Sequence, residues 1–314
     1  MLISRNDARL LYKIAQAYYM EELTQQQIAA RFRLSRPKVS RLLKQAKESG
    51  IVRISLVPPT GGMEAEEQRL EKKYGLDEAV VVFVSDAENP RTITRELGYA
   101  AAEAFTRSLN GNETIGLAWG STLLGMVEAL PPHNLPHVTL VQMIGGLGRE
   151  GSDEHSAELV RRTAQKLNAR FRLISAPGIV SSAATQKALV SDTQIAETLH
   201  LAQQADVAYV GLGILSPESV LLQRGELLSK SDQQLLQQAG AVGDVILRFL
   251  DAEGNPLKLE INKRIVGLTL EELKKIPRVV GIAGGQAKIH ILRAALKAEI
   301  LDVLITDHVT AGEL

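Results

Sequence analysis

Three short stretches of the 314-residue chain join glycine to a group able to hold an anion or a sugar. In IGLAWGSTLLGMVEAL, Gly120 permits close backbone approach, and Ser121 and Thr122 bring hydroxyls and N–H groups to a helix start. That combination suits a phosphate, because the first N–H groups of a helix have no partner and the helix dipole favours negative charge there. In VVGIAGGQAKIHILRAAL, Gly284 and Gly285 open another helix, and Lys288 in its first turn is placed to neutralise a phosphate. In GAVGDVILRFLDAEG, Asp244 follows a glycine and precedes an apolar run, where a carboxylate can accept bonds from sugar hydroxyls. Gly145–Gly146, after VQMI, forms a fourth candidate with glycine alone. Each has a plainer reading: a capped strand-to-helix turn, a solvated helix lysine, a turn-capping aspartate.

A different chemistry is concentrated in LTQQQIAARFRLSRPKVSRLLKQAKESGIVRISL, residues 23–56. Arg36, Lys38, Ser40, Arg41 and Lys44 are all hydrogen-bond donors, and no acid stands between Ser35 and Lys47. Donors of this kind on one helix face can reach guanine O6 and N7 and the phosphates of a duplex. Thr24, Gln25 and Ser35, at the starts of the two helices in this stretch, complete the set of candidate DNA contacts. A solvated basic hairpin is the alternative.

Local signals predict the elements that carry these residues. An amphipathic helix runs roughly from Asp7 to Met20, with Leu10, Leu11, Ile14, Ala15 and Tyr18 on one face. Thr24 and Gln27 form a capping box, and Ile28, Ala29 and Phe32 follow at helical spacing. Ser35 caps a second helix, in which Pro37 occupies the first turn at no cost and Val39, Leu42 and Leu43 face inward. This is a helix-turn-helix, and the alternating IVRISLV predicts a β-wing after it. VPPTGGM, residues 57–63, marks a linker, followed by a charged helix ending at Gly75. The strand-like runs 79–84, 114–119, 138–146, 206–213, 279–285 and 302–307 then alternate with helices. Their near-continuous apolar character predicts a parallel sheet covered on both faces, with ligands at its carboxyl edge. The expected domains are thus a winged helix-turn-helix over 1–57 and an α/β, Rossmann-like unit over 58–314.

The charge distribution separates the same two parts. Residues 1–56 hold 11 Lys and Arg against 4 Asp and Glu, and the surplus of +7 is balanced by −7 in the rest of the chain. A positive head on a negative body suggests that only the head meets a polyanion. Hydrophobic residues make up 45% and charged residues 23%, as in soluble globular proteins. No apolar run approaches the ~20 residues of a membrane span, and the N-terminus lacks a signal-peptide core, so we expect a cytoplasmic protein. With no cysteine and six scattered histidines, neither a disulfide nor a metal site is expected. VGLG, residues 210–213, falls short of the dinucleotide fingerprint, so NAD and other cofactors are not expected either.

Over nearly its whole length the chain resembles the SorC family of transcriptional regulators, which includes LsrR-type and CggR-type repressors. LTQQQIAARFRLSRPKVSRLLKQAKESGIVRI is similar to the family's DNA reader, and VGLG, GAVGDV and IAGGQAKIHILRAALKAEILDVLITDHVTA follow in the order of its effector domain. The resemblance implies a second domain with the fold of sugar-phosphate isomerases that binds a phosphorylated sugar or polyol without turning it over. It places the phosphate loop on Gly120, Ser121 and Thr122, a second anion element on Gly284, Gly285 and Lys288, and a sugar-contacting acid on Asp244. It further implies a homodimer or homotetramer; a two-fold dimer calls for a near-palindromic operator, and we expect repression of a carbohydrate-use operon, with an activator of the same architecture as a further reading.

The rival is a sugar-phosphate isomerase or deaminase with an appended DNA reader. Such an enzyme needs a paired acid and base over the sugar carbons. Asp244 offers one, but His155 and Glu150 lie in an undistinguished loop, and His200 and His290 read as surface or packing residues.

Overall fold

Capping chemistry sets the first helices. In the computed structural model, which describes residues 5–54, 62–146, 156–216 and 228–314, α1 spans Arg5–Tyr19, α2 Gln25–Phe32 and α3 Arg36–Glu48. Thr24 Oγ1 accepts from the Gln27 amide at 3.3 Å, and Gln27 Oε1 accepts from the Thr24 amide at 2.9 Å. The predicted capping box is therefore closed, which contributes about 1 kcal/mol to the helix. Arg33, left-handed at φ 52°, ends α2 and turns the chain into α3. Ile14, Ile28 and Val39 are fully buried between the three helices, with Ala17, Ala29 and Leu43 beside them. Small Ala29 lets the helices approach. The helix-turn-helix thus forms as its spacing predicts. Residues 51 and 52 are bends and 53 and 54 irregular rather than strand, and the rest of the expected wing, with linker residues 57–61, lies outside the described residues.

The chain divides into two units, Met1–Thr60 and Gly61–Leu314. In the second, α4 (Glu64–Tyr74) leads through Gly75 to β1 (Glu78–Val82), α5 (Pro90–Ser108), β2 (Thr114–Leu117), α6 (Ser121–Ala129) and β3 (Thr139–Gln142). Next come α7 (Ser156–Leu167), β4 (Arg170–Arg172), α8 (Ala183–Val190), α9 (Thr193–Gln203) and β5 (Val207–Gly213). They are followed by α10 (Lys230–Gln238), a hairpin of β6 (Gly243–Val245) and β7 (Arg248–Leu250), and α11 (Leu270–Leu273). β8 (Val279–Ile282), α12 (Ile289–Lys297), β9 (Val303–Asp307) and α13 (His308–Glu313) complete the unit.

Seven strands pair in parallel in the order β1-β9-β8-β5-β2-β3-β4, and β6 adds to β5 antiparallel. All residues of β8 and β9 are buried, including Thr306 and Asp307 at the end of β9. After β2 the chain adds β3 and β4 on one side, whereas β5, β8 and β9 extend the sheet on the other. The order therefore reverses between β2 and β5. A crevice opens beyond the strand ends at such a reversal, because the following helices leave to opposite faces.

Two features depart from the sequence reading. β4 is an exposed edge strand, RFR, with no apolar run to signal it. GAVGDVILRFL is a tight hairpin, not a single run, and its turn places Ile246 (φ 47°) and Leu247 (φ 64°) in the left-handed region. Side chains there cost about 1–2 kcal/mol per residue, so specific contacts, local and long-range, must hold the turn. Two of them are visible. Asp244 Oδ2 accepts from the Leu247 amide at 2.9 Å, and Arg248 donates to three carbonyls beyond the hairpin.

Candidate functional site

The loops after β2, β5 and β8 meet around a cavity of about 630 Å³, a volume in the range of small-molecule sites. Gly120, Ser121, Thr122, Asp244, Gly284, Gly285 and Lys288 all line it. Residues from three separate stretches of sequence are thus brought to one place, at the reversal of the sheet. Ala87, Pro90, Ile93, Trp119, Leu212 and Ile214 supply apolar wall.

Two helix starts open on this cavity. Gly120 (φ 131°) and Gly285 (φ 93°) each turn the chain through backbone that side chains rarely adopt. Beyond Gly120, the Ser121 and Thr122 amides have no protein acceptor among the described residues; beyond Gly285 the same holds for Gln286 and Ala287. Thr122 does not use its hydroxyl as expected: it is buried and donates to the Ile282 carbonyl at 3.0 Å, tying α6 to β8. Its amide alone remains for a ligand. Lys288 ends a short 3-10 turn, Gln286–Lys288, and stands just before α12 rather than inside it.

Asp244 is 1% exposed. One carboxylate oxygen holds the hairpin turn, while Oδ1 is buried with no hydrogen-bond partner among the described residues. Burial raises its pKa to about 6, against the pull of the Leu247 amide and the Lys288 ammonium. An unpartnered buried acceptor lining a cavity is an acceptor in want of a donor. Gly213, its cross-strand neighbour, has to be glycine, since a Cβ there would overlap Asp244 Oδ1.

Sequence reasoning missed Asp307. This fully buried side chain accepts from the Gly285 amide at 2.7 Å, and from the Thr310 amide and hydroxyl at 2.8 and 2.6 Å. It holds the Gly284–Gly285 loop from behind. Its place at the end of β9, beside that loop, follows only from the pairing of β8 with β9.

Gly145 and Gly146 do not reach the cavity. Their amides donate to the Val266 and Ala176 carbonyls at 2.9 and 2.8 Å, and a Cβ on Gly145 would collide with Ala176–Pro177. These glycines serve close backbone packing. Glu150 and His155 lie outside the described residues. Trp119 is nearly buried beside the first loop, and His200 and His290 are exposed on helices away from it. Among the described lining residues there is no histidine, and the acids are Asp244 and the exposed Glu88.

In the N-terminal unit, Ser35, Arg36, Lys38, Ser40, Arg41 and Lys44 are all exposed, and Gln25 is half-buried. Ser35 is the N-cap of α3, yet its hydroxyl makes no capping bond. Thr24 differs: its hydroxyl is committed to Gln27 in both directions. Lys44 pairs loosely with Glu48, the single acid of α3, at 3.8 Å. The face is cationic along its length.

Residues 58–314 match the Sugar-bind family, described as "Putative sugar-binding domain". The chain is 32% identical to the deoxyribonucleoside regulator of Bacillus subtilis (strain 168) over 312 residues, covering 99% of each. It is 30% identical to the transcriptional regulator LsrR of Klebsiella pneumoniae, covering 97% of this chain and 92% of that one. Among solved structures, the full-length sorbitol operon regulator SorC from Klebsiella pneumoniae superposes with a TM-score of 0.73 at 28% identity, covering 98% of each chain. These relatives are regulators, not isomerases. Two-domain architecture, sheet and family match agree, and the chain belongs to the SorC family of sugar-binding transcriptional regulators.

Proposed function

We propose that the protein is a cytoplasmic repressor of a carbohydrate-use operon, released or retained on its operator by a phosphorylated sugar or polyol. The observation that carries this reading is the meeting of two open helix starts, Lys288 and the orphaned Asp244 oxygen in one cavity. The phosphate lies on the Ser121 and Thr122 amides, or on those of Gln286 and Ala287, with Lys288 as counter-charge. A sugar hydroxyl donates to Asp244 Oδ1. Among the described lining residues there is no histidine and no second buried acid beside Asp244 to move protons on the sugar, which accords with binding without turnover.

The Arg36, Lys38, Ser40, Arg41 and Lys44 face of α3 enters the major groove, with Gln25 and Ser35 at the duplex phosphates; the Thr24 hydroxyl and amide, both engaged by Gln27, hold the start of α2 instead. In a homodimer or homotetramer two such helices read successive major grooves, which calls for a near-palindromic operator. Effector binding changes operator affinity only by its differential affinity for two arrangements, about 1–3 kcal/mol in comparable systems.

The test is a thermal-shift screen of pentose, hexose and polyol phosphates beside their unphosphorylated parents. At about 100 times its dissociation constant a ligand stabilises the native state by ~2.7 kcal/mol. A phosphate ester that raises the melting temperature, where its parent does not, is then added to a gel shift with DNA upstream of the neighbouring operon. Equal stabilisation by an unphosphorylated sugar would refute the phosphate assignment.

A further inference from the structure

A second cavity, of about 620 Å³, shares no lining residue with the first. It lies among α8, α9, the segment 262–272 and Arg248. The β6–β7 hairpin reaches both: Asp244 lines one cavity and Arg248, four residues on, the other.

Arg248 is an unusual charge to find there. It is 8% exposed. Its Nε–H donates to the Leu268 carbonyl at 2.9 Å, and its terminal N–H groups to the Asn262 and Gly267 carbonyls at 2.6 and 3.0 Å. A guanidinium has five N–H groups, so two remain. Among the described residues no carboxylate lies within 4.0 Å of it. Burial lowers its pKa to about 10, with Glu272 and Glu271 opposing from a distance, so it stays charged at neutral pH. Buried charges are ordinarily paired, because an unpaired one retains most of its desolvation cost.

The carboxylate lining this cavity acts on Arg248 only from a distance, because both its oxygens are bonded elsewhere. Glu272 accepts from the Thr269 amide at 2.7 Å in a capping box, and from Gln203 Nε2 at 2.8 Å. Lys187 and His200 are exposed on the same lining, and Lys263 there pairs with Glu260 at 3.1 Å. Arg248, Lys187 and Lys263 on the lining outnumber the charge of Glu272, so the cavity is net cationic around a buried guanidinium that retains two N–H groups. We propose that it binds a small oxyanion, phosphate or carboxylate, with Arg248 as the buried counter-charge. This site is independent of the effector reading, since neither cavity borrows a residue from the other.

The experiment is calorimetric titration of the full-length protein with inorganic phosphate at constant ionic strength. Ser121→Asp sets a negative charge at the start of α6 and closes the first cavity to anions. Wild type should then show two classes of phosphate site and Ser121→Asp one. Adding exposed Lys187→Glu should weaken the remaining class at least about tenfold, and adding Arg248→Gln should abolish it. Binding in Ser121→Asp should leave the fluorescence of Trp119, which lines the other cavity, unchanged. A parallel titration with malonate separates the sources: phosphate alone points to a phosphate ester, malonate alone to a carboxylic acid, and both to an oxyanion site without further choice. Should Arg248→Gln fail to fold, Lys187→Glu still decides. Absence of phosphate and malonate binding in Ser121→Asp overturns the proposal, as does a remaining class indifferent to Lys187→Glu. A single class in wild type that persists unchanged in Ser121→Asp would instead count against the effector cavity.

Discussion

Asp244→Asn offers a direct reading of how the cavity stores an unpaired group. In the folded chain the carboxyl has its pKa raised from 3.8 to about 6 by burial. For an acid whose folded pKa is raised, the stabilising contribution is complete below the unfolded value and is lost as pH rises through the folded one. The window here is pH 3.8 to 6. Two pKa units correspond to roughly 3 kcal/mol, an order-of-magnitude figure for a group this buried. Asparagine keeps an acceptor for the Leu247 amide but never ionises. The assay is urea unfolding at pH 4, 5, 6, 7 and 8, followed by the fluorescence of Trp119, the chain's single tryptophan, in the unit concerned. The difference in unfolding free energy between variant and wild type should shift toward the variant by about 3 kcal/mol between the ends of the series, with most of the change below pH 7. Equal pH dependence in the two proteins would show that Asp244 is not held in the environment described, and the orphaned oxygen would lose its meaning.

Other expectations follow from single contacts. Gly213→Ala puts a methyl onto Asp244 Oδ1 and should cost about 1–3 kcal/mol by overpacking, with loss of sugar-phosphate binding in the same thermal-shift assay. Lys288→Ala should weaken binding of the phosphate ester about tenfold or more while leaving operator affinity in a gel shift intact; unaltered response to the ester would remove Lys288 from the site. Arg41→Ala or Arg36→Ala should do the converse, weakening operator binding by about 1–3 kcal/mol with the effector response preserved. Thr24→Ala opens the capping box and should lower the stability of the N-terminal unit by about 1 kcal/mol, read from its unfolding by circular dichroism.

Much of this was legible before any fold was known, and the reason is locality. Thr24, Gln27 and Pro37 act within a few residues of themselves, so the helix-turn-helix could be read from caps and spacing. The runs that became β5, β8 and β9 lie in the interior of the sheet and so are largely apolar, with Thr306 and Asp307 closing β9. Gly120–Thr122 and Gly284–Lys288 announce helix starts wherever they stand. What the sequence could not say is that these starts face one another. That depends on the strand order, which reverses between β2 and β5 and sets β8 beside β5. Nor does the apolar run reveal the turn at Ile246–Leu247, which takes a conformation its residues disfavour because Asp244 accepts from Leu247 within the hairpin and Arg248 anchors it to carbonyls at 262, 267 and 268. Asp307 behind Gly285, Gly213 against Asp244, and the dismissal of Gly145–Gly146 to backbone packing were decided in the same way. Contacts between residues far apart in the chain exist only once the sheet is assembled, and the free energy that fixes them is that of the whole unit rather than of any segment.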